Sequence, residues 1–175
     1  MIRLALMDDF DSIITCLNDA KEFLKSQGSS QWNGPKGSPS EETFKNDILK
    51  RQCYVCIRNG IVCGVATFMG YEKEYDEPLG EWLTKEMNYT TIHRIAVKKE
   101  YRSQGVATEL MHFAEEFTKN TGRKSIRIDT HPENLIMQTM LKTLGYSYCG
   151  YVIYSYIYPE PKRLIYEKMI SKFWQ

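Results

Sequence analysis

The sequence contains no apolar run near the roughly 20 residues that a membrane-spanning helix requires. It also lacks an excess of charge of either sign, because 23 lysines and arginines stand against 22 aspartates and glutamates, a formal net charge of +1. A near-neutral chain has no basic field of the kind that drives nucleic-acid binding. The opening MIRLALMDDF is not the pattern of a secretory signal peptide, since two aspartates follow its short apolar run. We therefore expect a cytoplasmic protein that binds neither nucleic acid nor membranes.

The sequence also lacks the even, dense set of cysteines of a disulfide scaffold: there are five, an odd number in a chain of 175 residues, which is large enough to need no disulfide staples. Cys53 and Cys56 have the spacing of half a zinc or redox motif, but their segment predicts a hairpin around Asn59-Gly60. Residues i and i+3 of a strand point to opposite faces, so the two thiols cannot readily share one metal ion. We predict small buried apolar residues, a reducing cytoplasm and no metal site.

What the chain does have is the composition of an ordinary globular protein, with 42% hydrophobic and 26% charged residues. Neither repeats nor a linker divide it, so we predict a single domain over residues 1–175. Hydrophobic periodicity predicts the order β-α-α-β-β-β-α-β-α-β-β, an α/β protein with a mixed sheet and helices on both faces. The predicted elements are a strand at Ile2–Leu6, helices at Phe10–Leu24 and Ser40–Lys50, the cysteine hairpin ending near Met69, a strand at Thr91–Val97, a helix at Val106–Lys119, a strand at Lys124–Thr130, a helix at Asn134–Leu144, one or two strands in Tyr146–Tyr158 and a last strand at Arg163–Ile170.

The junction between the strand that ends at Val97 and the next helix carries the segment RSQGVA at positions 102–107. The first backbone N–H groups of a helix have no intrahelical partner and carry partial positive charge, and a phosphate satisfies both. Gly105 lets the backbone approach an anion, Ala107 keeps the first turn thin and Arg102 adds a charge-assisted donor. The G-x-G-x-x-G pattern of dinucleotide-binding proteins is absent. We therefore predict a pyrophosphate site at this junction.

With this junction inside IAVKKEYRSQGVATELM, and with ENLIMQTMLKTLGY further on, the chain resembles the GNAT superfamily of acetyl-CoA-dependent N-acetyltransferases over nearly its whole length. The resemblance implies the GNAT fold, a mixed and mostly antiparallel sheet with a splayed parallel central strand pair and helices on both faces. It also implies acetyl transfer from acetyl-CoA to a primary amine of a small molecule or protein, by direct attack in a ternary complex. The acceptor amine is left open.

The resemblance assigns coenzyme A contacts to three segments. Backbone groups of the strand before the loop run beside the pantetheine arm, the loop amides take the pyrophosphate, and an asparagine that opens the next helix bonds the arm. The alternative role for that asparagine is a helix N-cap. The residues so predicted are Ile95, Ala96, Val97, Arg102, Ser103, Gln104, Gly105, Val106, Ala107, Thr108 and Asn134.

His93 is the first candidate for the base that deprotonates the amine. Relatives place a histidine or carboxylate on this strand, and an imidazole pKa of about 6.5 suits proton removal. Strand alternation predicts that His93 shares a face with Thr91 and Ile95. His131, at the end of the next strand, is the second candidate. The alternatives are a half-buried structural histidine at 93 and, at 131, a loop residue whose side chain bonds a neighbouring carbonyl.

A general acid is harder to assign. Many relatives carry a tyrosine seven residues after the helix-opening asparagine, but Leu141 occupies that position and cannot donate a proton. We select Tyr154 from the aromatic run as the substitute, although alternating aromatic residues are typical of a sheet core and a thiolate can also leave without direct help. The missing tyrosine keeps a second function open, an acyl-CoA-binding sensor without turnover.

Two tryptophans are candidates for the acceptor site. Trp32 lies in a stretch rich in turn residues between the first two helices, and Trp82 lies in the acidic stretch Tyr71–Asn88. The acids there would attract a cationic amine, although a charged run is more often a solvated loop. Aromatic residues near the end, Phe173 and Trp174, would suit a homodimer interface.

Overall fold

The structure is a computed structural model that describes residues 1–33, 39–157 and 159–170. Over these residues the chain forms four α-helices and eight strands. The strands are β1 (Ile2–Leu4), β2 (Cys53–Arg58), β3 (Ile61–Met69), β4 (Leu79–Gly80), β5 (Tyr89–Val97), β6 (Ser125–Thr130), β7 (Ser147–Ile153) and β8 (Lys162–Met169). The helices are α1 (Phe10–Ser26), α2 (Glu41–Leu49), α3 (Val106–Asn120) and α4 (Leu135–Thr143).

The eight strands form one sheet in the order β1-β2-β3-β5-β6-β8-β7-β4. The β5–β6 pair is parallel, and the other described pairs are antiparallel. β8 lies between β6 and β7, although it follows both in the chain. The predicted mixed, mostly antiparallel sheet with one central parallel pair is therefore confirmed. Two details differ, because the first strand ends at Leu4 and the irregular stretch 71–88 contains the short β4.

Local sequence features explain several of these elements. Asn59 and Gly60 both adopt positive φ, 51° and 77°, in the two-residue turn that joins β2 to β3. Ser40 caps α2, since its hydroxyl accepts a hydrogen bond from the Thr43 amide at 3.2 Å. In α3 the buried residues recur at helical spacing, so one apolar face packs on the sheet.

Two apolar clusters cover the two faces of the sheet. One contains buried residues of α3 and α4, and the other contains buried residues of α1 and α2. Cys56 belongs to the first cluster and Cys53 to the second, so the two thiols lie on opposite faces, as strand geometry predicted. All five cysteines fall in described segments, and each is a free, buried thiol.

A glycine in β3 brings α3 close to the sheet. A Cβ at Gly64 would lie 2.5 Å from Cγ1 of Val106, the first residue of α3. Only glycine therefore allows the first turn of α3 to rest directly on the strand. This contact fixes the start of α3 against the central strands, where the site described below is built.

Two further predictions concern the ends and surfaces of the chain. Among the described helices, none has the combination of length and apolar character needed to cross a bilayer. Phe173 and Trp174, the residues predicted for a dimer interface, lie outside the described residues. The dimer therefore stays a prediction.

Candidate active site

β5 and β6 separate halfway along their length. Their pairing runs from Tyr89↔Ser125 to Ile92↔Ile128, whereas β5 continues to Val97. A cavity of about 720 Å³ lies along the separation. Strand edges that leave a ladder expose backbone groups, which an extended ligand can satisfy. The predicted site residues that line this cavity are Trp32, His93, Ile95, Ala96, Val97, Arg102, Ser103, Gly105, Val106, Ala107, Thr108, Asn134 and Tyr154.

The start of α3 has the geometry of an anion site. Gly105, its N-cap, has a left-handed φ of 82°, and nothing lies within 4 Å of the position that a Cβ would take. The first helical hydrogen bond runs from the Glu109 amide to the Gly105 carbonyl at 2.9 Å. The amides of Val106, Ala107 and Thr108 precede it and have no intrahelical acceptor. Together with the helix dipole they give this cavity wall partial positive charge.

Arg102 and Gln104 flank this loop in different ways. The Arg102 guanidinium lies 4.6 Å from the Phe23 ring centroid and donates to the Asp19 carbonyl, so α1 holds it at the cavity wall. The Gln104 side chain turns back and donates to the Glu100 carbonyl at 2.7 Å. Gln104 is not among the described residues that line the cavity. Its predicted contact with a pyrophosphate is therefore limited to its backbone amide.

An extra residue in β5 creates a bulge at the cavity. Between His93 and Ala96 the strand advances three residues where its partner β3 advances two. Arg94 sits in this bulge with φ = 55°. The bulge interrupts the alternation of side chains. Ile92, the residue before His93, belongs to the cluster under α3, and Ile95 packs against that same cluster. The expectation that Ile95 shares a face with His93 is therefore wrong.

His93 pairs with a carboxylate that the sequence reasoning missed. Its Nε2 lies 3.0 Å from Oε2 of Glu72, in the segment after β3, and both residues line the cavity. Burial alone would raise the pKa of Glu72, but hydrogen bonds with His93 and Glu74 and the charge of Arg94 lower it to about 2. Glu72 is therefore ionised at neutral pH and can orient the imidazole or stabilise its protonated form. In the sequence, Glu72 is one of several acids in the stretch 71–88, and nothing distinguishes it.

His131 is not among the described residues that line the cavity. Its side chain is 2% exposed, its Nε2 lies 2.7 Å from Oε2 of Glu160, and its Nδ1 accepts from the Glu133 amide at 3.2 Å. The same Glu160 oxygen accepts from the Ser30 hydroxyl at 2.8 Å. Burial lowers the pKa of His131. These contacts tie the loop after α1 to the residues that follow β6 and precede β8. They favour a structural role for His131, with a carboxylate and an amide as its side-chain partners where a carbonyl was predicted.

Tyr154 lines the cavity beside Asp129, which we did not predict. Oδ2 of Asp129 accepts hydrogen bonds from the Tyr154 hydroxyl at 2.8 Å and the Tyr75 hydroxyl at 2.7 Å. Burial, followed by the negative charge of Asp129, raises the pKa of Tyr154, so its hydroxyl keeps its proton at neutral pH. That proton is directed at Asp129.

Asn134 stands at the cavity wall, where it opens α4. Its Oδ1 accepts from the Met137 amide at 3.0 Å, and its Nδ2 donates to Oε1 of Gln31 at 2.9 Å. The N-cap alternative is therefore present, and the contact with coenzyme A stays a prediction. Leu141 is fully buried in the core, whereas Met137 and Met140 give α4 an apolar surface on the cavity.

The two tryptophans have different environments. Trp32 lines the cavity and packs on the cluster of α1 and α2. Trp82 is not among the described residues that line the cavity. Its Nε1 donates to the Tyr75 carbonyl at 2.9 Å, and its ring centroid lies 4.4 Å from the Arg127 guanidinium. Arg127 in turn pairs with the buried Glu167 at 3.0 Å. Trp82 is part of the packing beside the late strands.

One group of described residues places its possible metal-ligand atoms within 4.8 Å of one another: His131, Glu133 and Glu160. Both glutamates are exposed, and both carboxylates accept hydrogen bonds from Ser30, through its amide and its hydroxyl. These hydrogen bonds account for the cluster, and we assign no metal to it.

Comparisons with known proteins agree with this geometry. The sequence model of the Acetyltransferase (GNAT) family matches residues 18–146. A crystal structure of a GNAT-family acetyltransferase from Streptococcus agalactiae 2603 has 33% identity and a TM-score of 0.88, covering 98% of this chain and 96% of that one. The uncharacterised N-acetyltransferase YesJ of Bacillus subtilis (strain 168) is 24% identical over 147 residues, 83% of this chain and 81% of that protein. A PaiA N-acetyltransferase from Thermoplasma acidophilum, solved in complex with coenzyme A, has 17% identity and a TM-score of 0.72, covering 97% of this chain and 98% of that one.

Proposed function

Because the chain belongs to the GNAT family of acetyltransferases, we propose that it transfers an acetyl group from acetyl-CoA to a primary amine by direct attack in a ternary complex. One observation carries this proposal. A single cavity is lined at one place by the start of α3 and at another by the His93–Glu72 pair. An anion-binding helix terminus and a candidate base therefore face the same space.

The residues of the cavity fit the parts of coenzyme A. The amides of Val106, Ala107 and Thr108 suit the pyrophosphate, and the open space at Gly105 allows its close approach. The backbone of β5 beyond Ile92, which has left its ladder with β6, suits the amide groups of the pantetheine arm. In the coenzyme A complex of the Thermoplasma acidophilum relative, the same fold holds this ligand.

When bound, acetyl-CoA supplies an activated acyl group whose thiolate is a good leaving group. His93 takes the proton of the attacking amine. With Nε2–H donating to Glu72, Nδ1 is the nitrogen that can accept that proton, and the carboxylate then stabilises the imidazolium. The Arg94–Ile95 bulge turns backbone groups out of the ladder, and an amide there donates to the carbonyl oxygen as it gains negative charge. Tyr154 donates a proton to the thiolate only when its hydroxyl turns away from Asp129, and otherwise the thiolate leaves without one.

The acceptor is an amine of a small molecule or of a protein, either an N-terminus or a lysine. Five unpaired, buried thiols suit a reducing compartment, and the cytoplasm is our proposed location. A non-catalytic acyl-CoA-binding sensor is the second candidate, because the core residue Leu141 stands where many relatives carry a tyrosine.

Two measurements on one preparation test the proposal. Acetyl-CoA is titrated into the protein by calorimetry, and thiol release is then followed with a panel of amines. Micromolar binding with amine-dependent release is the expected result. Binding without release from any amine would favour the sensor, and absence of binding would overturn both candidates.

A further inference from the structure

Arg163 of β8 is a buried cation at the cavity. Only 7% of the residue is exposed, and it lines the same cavity as His93 and Asp129. Its Nη1 donates to the carbonyl oxygens of Glu160 at 2.8 Å and Lys162 at 2.7 Å. Both contacts use one nitrogen, so they leave the Nε and Nη2 donors to other partners. Burial lowers the pKa of the guanidinium, as expected for a cation removed from water.

Two other arginines of the sheet that are largely or fully buried have carboxylate partners. Arg94 contacts both oxygens of Asp47 at 2.7 and 2.9 Å, and Nε of Arg127 lies 3.0 Å from Glu167. Within residues 1–33, 39–157 and 159–170, no carboxylate forms such an ion pair, at 4.0 Å or less, with Arg163. A buried charge is costly unless it is paired. The missing partner of Arg163 is therefore expected from the cavity.

Asp129 is the acid whose charge acts most strongly on Arg163, but its carboxylate has other partners. Its Oδ2 already accepts hydrogen bonds from the hydroxyl groups of Tyr154 and Tyr75. Asp129 therefore moderates the charge of Arg163 from a distance and does not occupy the guanidinium donors.

The charges of the cavity are arranged in sequence across the sheet. His93, Asp129 and Arg163 belong to β5, β6 and β8, which are successive strands. The distance from β5 to β8 is two strand spacings, about 10 Å, and the separation of β5 from β6 increases it. Glu72 lies at the His93 end, where the cation of Arg94 is already paired with Asp47. The unpaired charge at that end is therefore acidic, and the cation without a carboxylate partner, Arg163, stands further along. A molecule with an ammonium group at one end and an anionic group at the other matches this order.

We propose that Arg163 binds an anionic group of the acceptor, a carboxylate or a phosphate, so that the substrate is an amine of the amino-acid or phosphoamine class. This inference rests on the proposed function, because it describes the acceptor side of the same cavity. A guanidinium with free donors binds an oxyanion through charge-assisted hydrogen bonds. A simple alkylamine has no anionic oxygen and cannot accept them.

The test uses amine pairs that differ by one anionic group. The carboxylate pairs are lysine with cadaverine, ornithine with putrescine and alanine with ethylamine, and the phosphate pair is phosphoethanolamine with ethanolamine. Rates of thiol release are measured for each pair. Calorimetric titration of each compound into protein saturated with coenzyme A gives the affinities without requiring turnover.

Three variants complete the design. Arg163→Met removes the charge. Arg163→Lys keeps the charge but loses the two parallel N–H donors of the guanidinium. Lys162→Met is the matched control, since Lys162 is the neighbouring cation, is exposed and lies with its Nζ 4.2 Å from the Tyr151 ring centroid. Circular dichroism and the thermal midpoint report whether each variant folds. If Arg163→Met does not fold, Arg163→Lys replaces it, and the preference for the anionic member should then be reduced because the bidentate guanidinium geometry is lost.

We expect the wild-type protein to prefer the anionic member of at least one pair by about 10- to 100-fold, the value of a charge-assisted contact. Arg163→Met should remove that preference and Lys162→Met should keep it, with acetyl-CoA affinity unchanged in both. Equal or weaker binding of every anionic member, or a preference that survives in Arg163→Met, overturns the inference. Release of thiol with cadaverine or ethylamine but no preference overturns the inference alone. Failure to bind acetyl-CoA overturns the proposed function.

Discussion

The Arg94 guanidinium forms a bidentate ion pair with the Asp47 carboxylate, with Nε–Oδ2 at 2.7 Å and Nη2–Oδ1 at 2.9 Å. Asp47 belongs to α2 and is nearly buried, and its Oδ2 also accepts from the Thr67 hydroxyl at 2.8 Å. Arg94 is the β5 residue with a left-handed φ in the bulge. A non-glycine residue adopts that conformation at a cost, which persists only where surrounding contacts hold it. The ion pair therefore fastens the bulge of β5 to α2.

Removal of the Asp47 carboxylate should loosen the bulge. Asp47→Ala leaves Arg94 without its partner, and loss of one member of a buried pair costs about 3 kcal/mol or more. We expect a lower free energy of unfolding in urea and a lower kcat, since the amides of the bulge lose their position. Asp11→Ala, an exposed aspartate of α1, serves as the control. An unchanged urea midpoint for Asp47→Ala would show that the bulge does not depend on this pair.

Loss of the His93 imidazole should affect turnover and spare cofactor affinity. His93→Ala removes the proposed base, which contributes about 100-fold or more to a rate. Glu72→Gln keeps the shape but removes the charge that stabilises the imidazolium, so we expect a smaller loss in kcat, about tenfold. His112→Ala is the matched control, because its side chain on α3 is 60% exposed. Steady-state thiol release and calorimetry separate the two effects, and an unaltered kcat in His93→Ala would remove this residue from the mechanism.

Gly105→Val should abolish acetyl-CoA binding. A β-branched residue at φ = 82° is strained by about 1–2 kcal/mol, and its side chain fills the open space at the start of α3. Gly122, just beyond the other end of α3, has φ = 71° and equally open surroundings. Gly122→Val therefore reproduces the strain away from the cavity. Calorimetry should detect binding to Gly122→Val only; binding to both variants would mean that the loop does not hold the pyrophosphate.

Acidification should destabilise the protein partly through His131. Burial lowers the pKa of His131 in the folded state, so the unfolded chain, which titrates near the ordinary value of 6.5, binds more protons as the pH falls. The contribution of the neutral imidazole is complete above that value and is lost below it, by at most about 1.4 kcal/mol per pH unit. Urea titrations from pH 8 to pH 5 should therefore show a shallower pH dependence in His131→Asn than in the wild type. A slope identical to that of wild type and of His112→Asn would exclude this role.

The strand-to-helix junction at the cavity could be predicted from the sequence because its determinants are local. Gly105 and the periodic apolar face of α3 lie within one short segment, and the structure places both as expected. Long-range pairs could not be predicted in this way. Glu72 is 21 residues from His93, and Trp82 meets Arg127 across the sheet. The composition around Glu72 and Trp82 predicts an acidic loop, but it does not indicate that Glu72 pairs with His93 or that Trp82 contacts Arg127.

The bulge shows a different limit of sequence interpretation. An extra residue in a strand changes which side chains share a face, but it leaves the apolar pattern of Thr91–Val97 looking like simple alternation. The ion pair that contacts the bulge joins Arg94 to Asp47, and the two are 47 positions apart. Simple alternation therefore predicts the wrong face for Ile95.

The insertion of β8 between β6 and β7 also determines the order in which the molecule can be assembled during translation. β1, β2, β3 and β5 are neighbours in the sheet in their order of synthesis, so they can pair as they leave the ribosome. β7 pairs with β8 and β4, so it joins the sheet only after β8 has been made. Until then β6 presents an open edge, which is a template for unwanted pairing. The nascent chain thus completes the junction of β5 and α3 first, and Arg163 is added last, with β8.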